Sequence, residues 1–197
     1  MFVLTVDQRG SRTQPDRVPE AIDLLSAVTT VRAFERTVGD EFQGVLSDPV
    51  AVAEALEILT RNKGWHIGLG LGTVDQPLPA NAREGDGPAF RAARNAVDRA
   101  KKEKATVFLT EDPNDERACA NAQALWRLME ALLQARTARQ WEISHLARHA
   151  TGAEVAKAQD VTPQTISTVL QAAHHREIEE ARPAVIDLLS RWESTRE

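Results

Sequence analysis

The sequence predicts an α+β chain in two parts, a sheet-containing layer over about residues 1–112 and an all-helical part over 113–197. Three observations carry this. Short β-prone runs alternate with helical periodicities through the first part. The strand patterns stop near residue 110. From Pro113 onward the apolar residues keep helical spacing.

The elements follow in order. Residues 2–6 are apolar and β-prone and end at Asp7, a first strand. Val18, Ala21, Ile22, Leu24, Leu25 and Val28 have helical spacing within 16–30. Val31 to Val38 and Glu41 to Leu46 flank Gly39-Asp40, a hairpin signal. Pro49 opens a helix that stops near Asn62-Lys63-Gly64. Trp65 to Val74 reads as a strand in which Ile67, Leu69 and Leu71 alternate with Gly68, Gly70 and Gly72. Those glycines suit either a floor for a ligand or close packing of a helix. A Pro/Gly/Asp-rich loop covers 75–87, Pro88 opens a helix to about Lys104, and 105–109 is a last strand. The order β-α-β-β-α-β is that of a split, ferredoxin-like layer.

Composition bounds the function classes. Hydrophobic residues make up 42% and charged residues 27% of the 197, ordinary for a globular protein. The single cysteine, Cys119, excludes an intrachain disulfide and cannot build a zinc site alone. The N-terminal residues lack the basic start and long apolar run of a signal peptide or membrane span, so a cytoplasmic protein with no membrane partner is expected. The net charge of −5 argues against coating nucleic acid non-specifically, but not against a local DNA contact.

Residues 151–170 carry the most specific pattern. A first helix is expected from Gly152 to Gln159, with Ala156 small enough for a close crossing. Asp160 stands where a left-handed turn is needed, a position Asp tolerates. Val161 plugs the gap, Thr162 is a suitable N-cap and Pro163 a suitable first helical residue. Ile166, Val169 and Leu170 make an inner face. Thr162, Gln164, Thr165, Ser167, Thr168 and Gln171 are the candidate DNA-contacting residues, with side chains suited to base edges and phosphates. This resembles the helix-turn-helix of bacterial regulators, in winged or plain form. It implies double-stranded DNA as partner and a homodimer that doubles a thin set of cations: Arg139, Arg148, Lys157 and Arg176. A helical hairpin used only for packing is the plainer reading.

A second constellation lies in the first part. Asp7 ends one strand and Asp40 sits at a hairpin tip, and a split layer brings those ends together. Two carboxylates with substrate phosphates suit Mg²⁺ or Mn²⁺. Val6-Asp7, Val38-Gly39-Asp40-Glu41-Phe42, Ile67-Gly68-Leu69-Gly70 and the run from Gly87 to Arg94 resemble the palm of nucleotidyl cyclases. Over most of 2–110 and in the tail, the chain resembles the SatD-like family, in which a cyclase-like domain precedes a helix-turn-helix. The resemblance implies metal ligation by Asp7 and Asp40, nucleotide binding by Gly39 and Arg94, and a nucleotide effector. Val38 replaces one glycine of the diguanylate cyclase pair and Phe90 stands four before Arg94, where class III cyclases have asparagine. Such a domain would bind a nucleotide without turning it over. A metal-dependent cyclase or polymerase-like enzyme and a non-catalytic dimerisation scaffold are the alternatives.

Arg83, Arg91, Arg94, Lys101, Lys102 and Lys104 gather around one predicted helix, which reads first as a solvated basic face. His174-His175, adjacent on a helix, point apart and make a poor metal pair.

Overall fold

The computed structural model describes residues 1–192; the last five positions of the predicted helical part lie outside the described residues. Among the described residues the chain is α+β, with a five-stranded mixed sheet and eight α-helices. β1 (Phe2–Gln8), α1 (Val18–Leu25), β2 (Arg32–Arg36), β3 (Glu41–Leu46), α2 (Pro49–Asn62) and β4 (Trp65–Leu71) come first. α3 (Pro88–Glu103) and β5 (Val107–Thr110) follow, then α4 (Glu116–Ala135), α5 (Ala138–Leu146), α6 (Gly152–Ala158), α7 (Pro163–Ala172) and α8 (His175–Ser190). No strand follows β5 among the described residues, so the helical module carries no β-wing there.

The sheet order is β2-β3-β1-β4-β5. β1 runs antiparallel to both neighbours, β2 pairs antiparallel with β3, and β5 is parallel to β4. Parallel pairing needs a crossover, and α3 supplies it. Several predicted elements are shorter than their patterns. α1 stops at Leu25, where the Ser26 hydroxyl and amide both bond the Asp23 carbonyl. β2 stops at Arg36 because Thr37 to Asp40 form the turn, closed by bonds from the Thr37 amide to Glu41 and from the Glu41 amide to Val38. β4 ends at Leu71, before the left-handed Gly72.

Alternation along β1 divides the core. Phe2, Leu4 and Val6 share one face with Phe42, Leu46, Ile67, Leu69 and Leu71. Helices α1, α2, α4 and α8 cover that face, and Trp126, Met129, Val185 and Leu189 belong to the same buried cluster. On the other face α3 lies on β4. Its side chains there are Ala89, Ala93, Ala96 and Val97, all buried. A Cβ on Gly70 would sit 2.0 Å from the Ala89 carbonyl oxygen, and one on Gly68 2.2 Å from the Val97 amide. The alternating glycines are therefore a seat for α3, not a ligand floor.

A small separate cluster of Ile143, Val155, Ala156 and Ile166 holds α5, α6 and α7 together. This helical module is tied to the sheet layer by buried charge. Glu57 of α2, 6% exposed, accepts from Arg148 at 3.1 Å and pairs with Arg182 of α8. Arg148 also reaches Glu179 at 2.8 Å. Arg136, in the link between α4 and α5, donates from Nε to the Ala173 carbonyl at 2.9 Å and stacks over Trp141. Burial pushes its guanidinium down to about 10, with Arg148 adding to the effect and Glu57 and Glu179 opposing it, so it stays charged at neutral pH.

Gly70→Ala should lower stability by about 3 kcal/mol, because backbone atoms of α3, not a flexible side chain, would have to move. Urea unfolding measures it; a loss no larger than that of Gly152→Ala, where a Cβ would meet nothing nearer than Ile166 at 4.0 Å, would refute the seat.

Candidate functional site

Two places gather the residues singled out from the sequence. The first is the outer face of the α5–α7 module. α6 begins with a capping box in which the Thr151 hydroxyl accepts from the Glu154 amide and Glu154 reaches back to the Thr151 amide. It ends at Ala158 with Gln159 as its C-cap, and Asp160 turns the chain with a φ of 51°. Val161 packs partly buried against the small cluster. Thr162 then caps α7, its hydroxyl accepting from the Thr165 amide at 3.2 Å. Turn, plug and cap thus stand at the positions expected of them.

The six candidate DNA-contacting residues are all exposed, and they divide in two. The Thr162 and Thr165 hydroxyls bond each other at 2.9 Å, and the Thr168 hydroxyl donates to the Gln164 carbonyl at 3.0 Å. Those groups have local partners. The side chains of Gln164, Ser167 and Gln171 bond to none of the described residues, and their spacing of three and four puts them on one face of α7, away from buried Ile166.

Cation supply is thinner than the sequence suggests. Arg148 turns inward to Glu57 and Glu179, and Arg176 pairs with Glu180 at 2.7 Å. Of those four candidate cations, Arg139 and Lys157 remain exposed without an ion pair among the described residues. His145 and His149 stack edge to face at 5.5 Å on the end of α5.

The second place is a cavity of about 610 Å³ on the α3 side of the sheet, lined by Asp7, Thr37, Asp40, Glu41, Arg94 and Lys101 among others. Strand register sets Asp7 between Glu41 on β3 and His66 on β4, all on one face. Asp40 lies one residue before β3, its carbonyl accepting from the Gln8 amide at 3.2 Å. Gly39 is left-handed at 61°, with open space where a Cβ would stand. Arg94 and Lys101, seven apart on α3, reach the same cavity. Arg83 and Arg94 also line an adjoining cavity of about 220 Å³ beside Gln43 and Phe90.

Lys101 is the residue underrated by sequence. Its ammonium lies 2.9 Å from Asp7. Burial disfavours the charge, yet the hydrogen bond and charge of Asp7 outweigh it and raise Lys101 above its usual value. Glu41 is the other, bonded by the Thr37 hydroxyl at 2.9 Å. The i, i+7 spacing from Arg94 and the strand register were the signals. Among the described residues no three His, Cys, Asp or Glu side chains are grouped to hold a metal. A divalent ion at Asp7 would share or take the place of the Lys101 ammonium and draw on substrate phosphates.

No described helix is long and apolar enough to cross a membrane. Comparison with family models, curated proteins and solved structures returns no match.

Asp160→Val should destabilise the chain by about 1–2 kcal/mol, because a β-branched residue resists the left-handed turn, whereas Asp160→Gly should not. Thermal melts of both variants decide it; equal melting points would contradict the strain argument.

Proposed function

We propose that the chain is a homodimeric, sequence-specific DNA-binding regulator of the SatD-like kind, acting in the cytoplasm, whose first part senses a nucleotide. The observation that carries this reading is the turn at Asp160 between α6 and a Thr162-capped α7, with Gln164, Ser167 and Gln171 on its free face. Gln side chains offer a donor and an acceptor together, the pattern that pairs with adenine in the major groove. Arg139 and Lys157 at the rim suit phosphates. Two copies double that small contact set, as a two-fold operator requires.

A ferredoxin-like, cyclase-related layer is the reading the strand order supports for the first part. β4-β1-β3-β2, all antiparallel, is the order a split β-α-β-β-α-β run adopts. A nucleotide effector would place phosphates against Arg94, Lys101 and Arg83, with Gly39 leaving its hairpin open to a close approach. A path from cleft to module exists in contacts. The Arg9 amide, just past β1, bonds Gly64 at 2.8 Å, and Arg61 near the end of α2 lies over Trp141 of α5 at 6.0 Å. A ligand that binds one arrangement of these elements better than another would shift the spacing of the α7 helices.

The test is selection of bound sequences from a random DNA library, followed by titration of the selected site. A palindrome is expected. The double variant Gln164→Ala/Gln171→Ala should lose about 1–3 kcal/mol of affinity per base contact removed while keeping its melting temperature. Undiminished affinity would overturn the assignment of α7.

A second reading is a metal-dependent nucleotidyl transferase, favoured by the meeting of Asp7, Asp40 and Glu41 with Arg94 and Lys101 in one cavity. Mg²⁺ or Mn²⁺ would supply charge neutralisation and orientation of phosphates there; Asp7 and Asp40 would hold it and Arg94 would bind a phosphate. This reading expects nucleotide consumption that Asp40→Asn removes, whereas a pure sensor binds nucleotide and leaves it intact. Product analysis after incubation with nucleoside triphosphates and either metal separates the two.

A further inference from the structure

A cavity of about 160 Å³ lies where Arg9, just past β1, the end of α2, the start of β4 and the second half of α4 come together. It shares no described lining residue with the cleft around Asp7 and Asp40. The corner that shapes it is fixed locally. The chain leaves α2 through left-handed Lys63 and Gly64, and Arg17 donates to the Asn62 and Lys63 carbonyls at 3.0 and 3.1 Å. Arg17 also lies over the Trp65 ring at 5.4 Å.

Two donors at this cavity are buried and unused. Trp65 is 3% exposed, and its Nε1 has no hydrogen-bond partner among the described residues. The Nε of Arg9 is buried without one as well, while its Nη2 donates to the Lys104 carbonyl at 3.4 Å. Native proteins seldom leave such groups unmatched. The other indole nitrogens are unmatched too, but Trp65 is the one set in a cavity beside arginine and lysine. The remaining charge in the wall is Glu130, 5% exposed. Its described bonds come from neutral donors. Oε1 accepts from the Thr106 hydroxyl at 2.6 Å and from Gln134 at 3.2 Å, and Oε2 from the Thr106 amide at 3.2 Å. Oε2 therefore keeps capacity for a further donor.

We infer that this cavity binds free hydrogen phosphate. The Trp65 N–H, Arg9 and Lys63 are the donors an oxyanion needs. Arg9, Lys63 and neighbouring Arg17 together balance a dianion and Glu130. The buried carboxylate selects which dianion enters. An anion beside Glu130 must bring a proton, and the P–OH of hydrogen phosphate donates to Oε2. Sulfate has the same shape and charge but no proton, so it would set an acceptor against an acceptor. A phosphomonoester has given up that proton above its second pKa of about 6, and a phosphodiester has none to offer. At roughly 30 Å³ per water, the cavity has room for a phosphate and not for a nucleoside. The site stands apart from both the DNA-binding and the nucleotide readings.

The test is calorimetric titration of the full chain with inorganic phosphate, just above neutral pH in a phosphate-free buffer. Saturable binding is expected below about 10 mM. Sulfate and glycerol 3-phosphate should bind about tenfold more weakly or not at all. Arg9→Gln should weaken phosphate binding about tenfold, whereas Arg94→Gln, in the other cleft, should leave the titration unchanged. Glu130→Gln should raise sulfate to the level of phosphate, because an amide donates to either ion; a merely structural Glu130 would leave their ratio alone. Absence of phosphate binding, sulfate or glycerol 3-phosphate binding as well as phosphate to the unaltered chain, or loss in Arg94→Gln in place of Arg9→Gln would each overturn the site.

Discussion

The rest of the structure depends on the close approach of α3 to β4. Gly68 and Gly70 leave no side chain between the sheet and Ala89, Ala93 and Val97, so α3 has one depth and one rotation open to it. Packed interiors tolerate little adjustment of that kind. With its alanine side pinned to the strand, α3 presents Arg94 and Lys101 to the cavity that also holds Asp7, Asp40 and Glu41. The charge arrangement of the cleft is thus set by a contact made entirely of small apolar groups.

A second constraint acts on the opposite face. Glu57 is buried on α2 and is shared by Arg148, from the link between α5 and α6, and Arg182 of α8. Removing one partner of such a group leaves an uncompensated buried charge, so the network specifies orientation more than it adds net stability. The α5–α7 module has its own small core of four buried residues and owes its position to this network and to Arg136. Arg148 is consumed in the process. The cost is paid on the outer surface of that module, where Arg139 and Lys157 are the two of its four candidate phosphate contacts left without an ion pair among the described residues.

Much of this was legible from local chemistry. The hairpin at Gly39-Asp40, the Pro49 and Pro88 helix starts, the Asp160 turn and the Thr162 cap are each decided by residues adjacent in sequence. Element ends were less legible. Whether a strand continues to residue 38 or stops at Arg36 depends on which amides find partners across the sheet, and the sequence holds no record of that. The fate of side chains was least legible. Thr165 and Thr168 look like free hydroxyls in a linear reading, yet both bond within their own helix, while Lys101 looks like one of several surface lysines and instead lies on Asp7.

The sequence by itself determined the order of strands and helices and the positions of turn and cap in the helical module. Those follow from periodicity, proline, glycine and capping chemistry, which act over a few residues. Tertiary structure alone decided that the alternating glycines seat a helix and that Arg148 is a tether and not a phosphate ligand. It also decided that Lys101 lies on Asp7 and that Leu128 of α4 is left exposed. Each of these turns on which groups, distant along the chain, meet in space, and a pairing of that kind is a property of the packed fold.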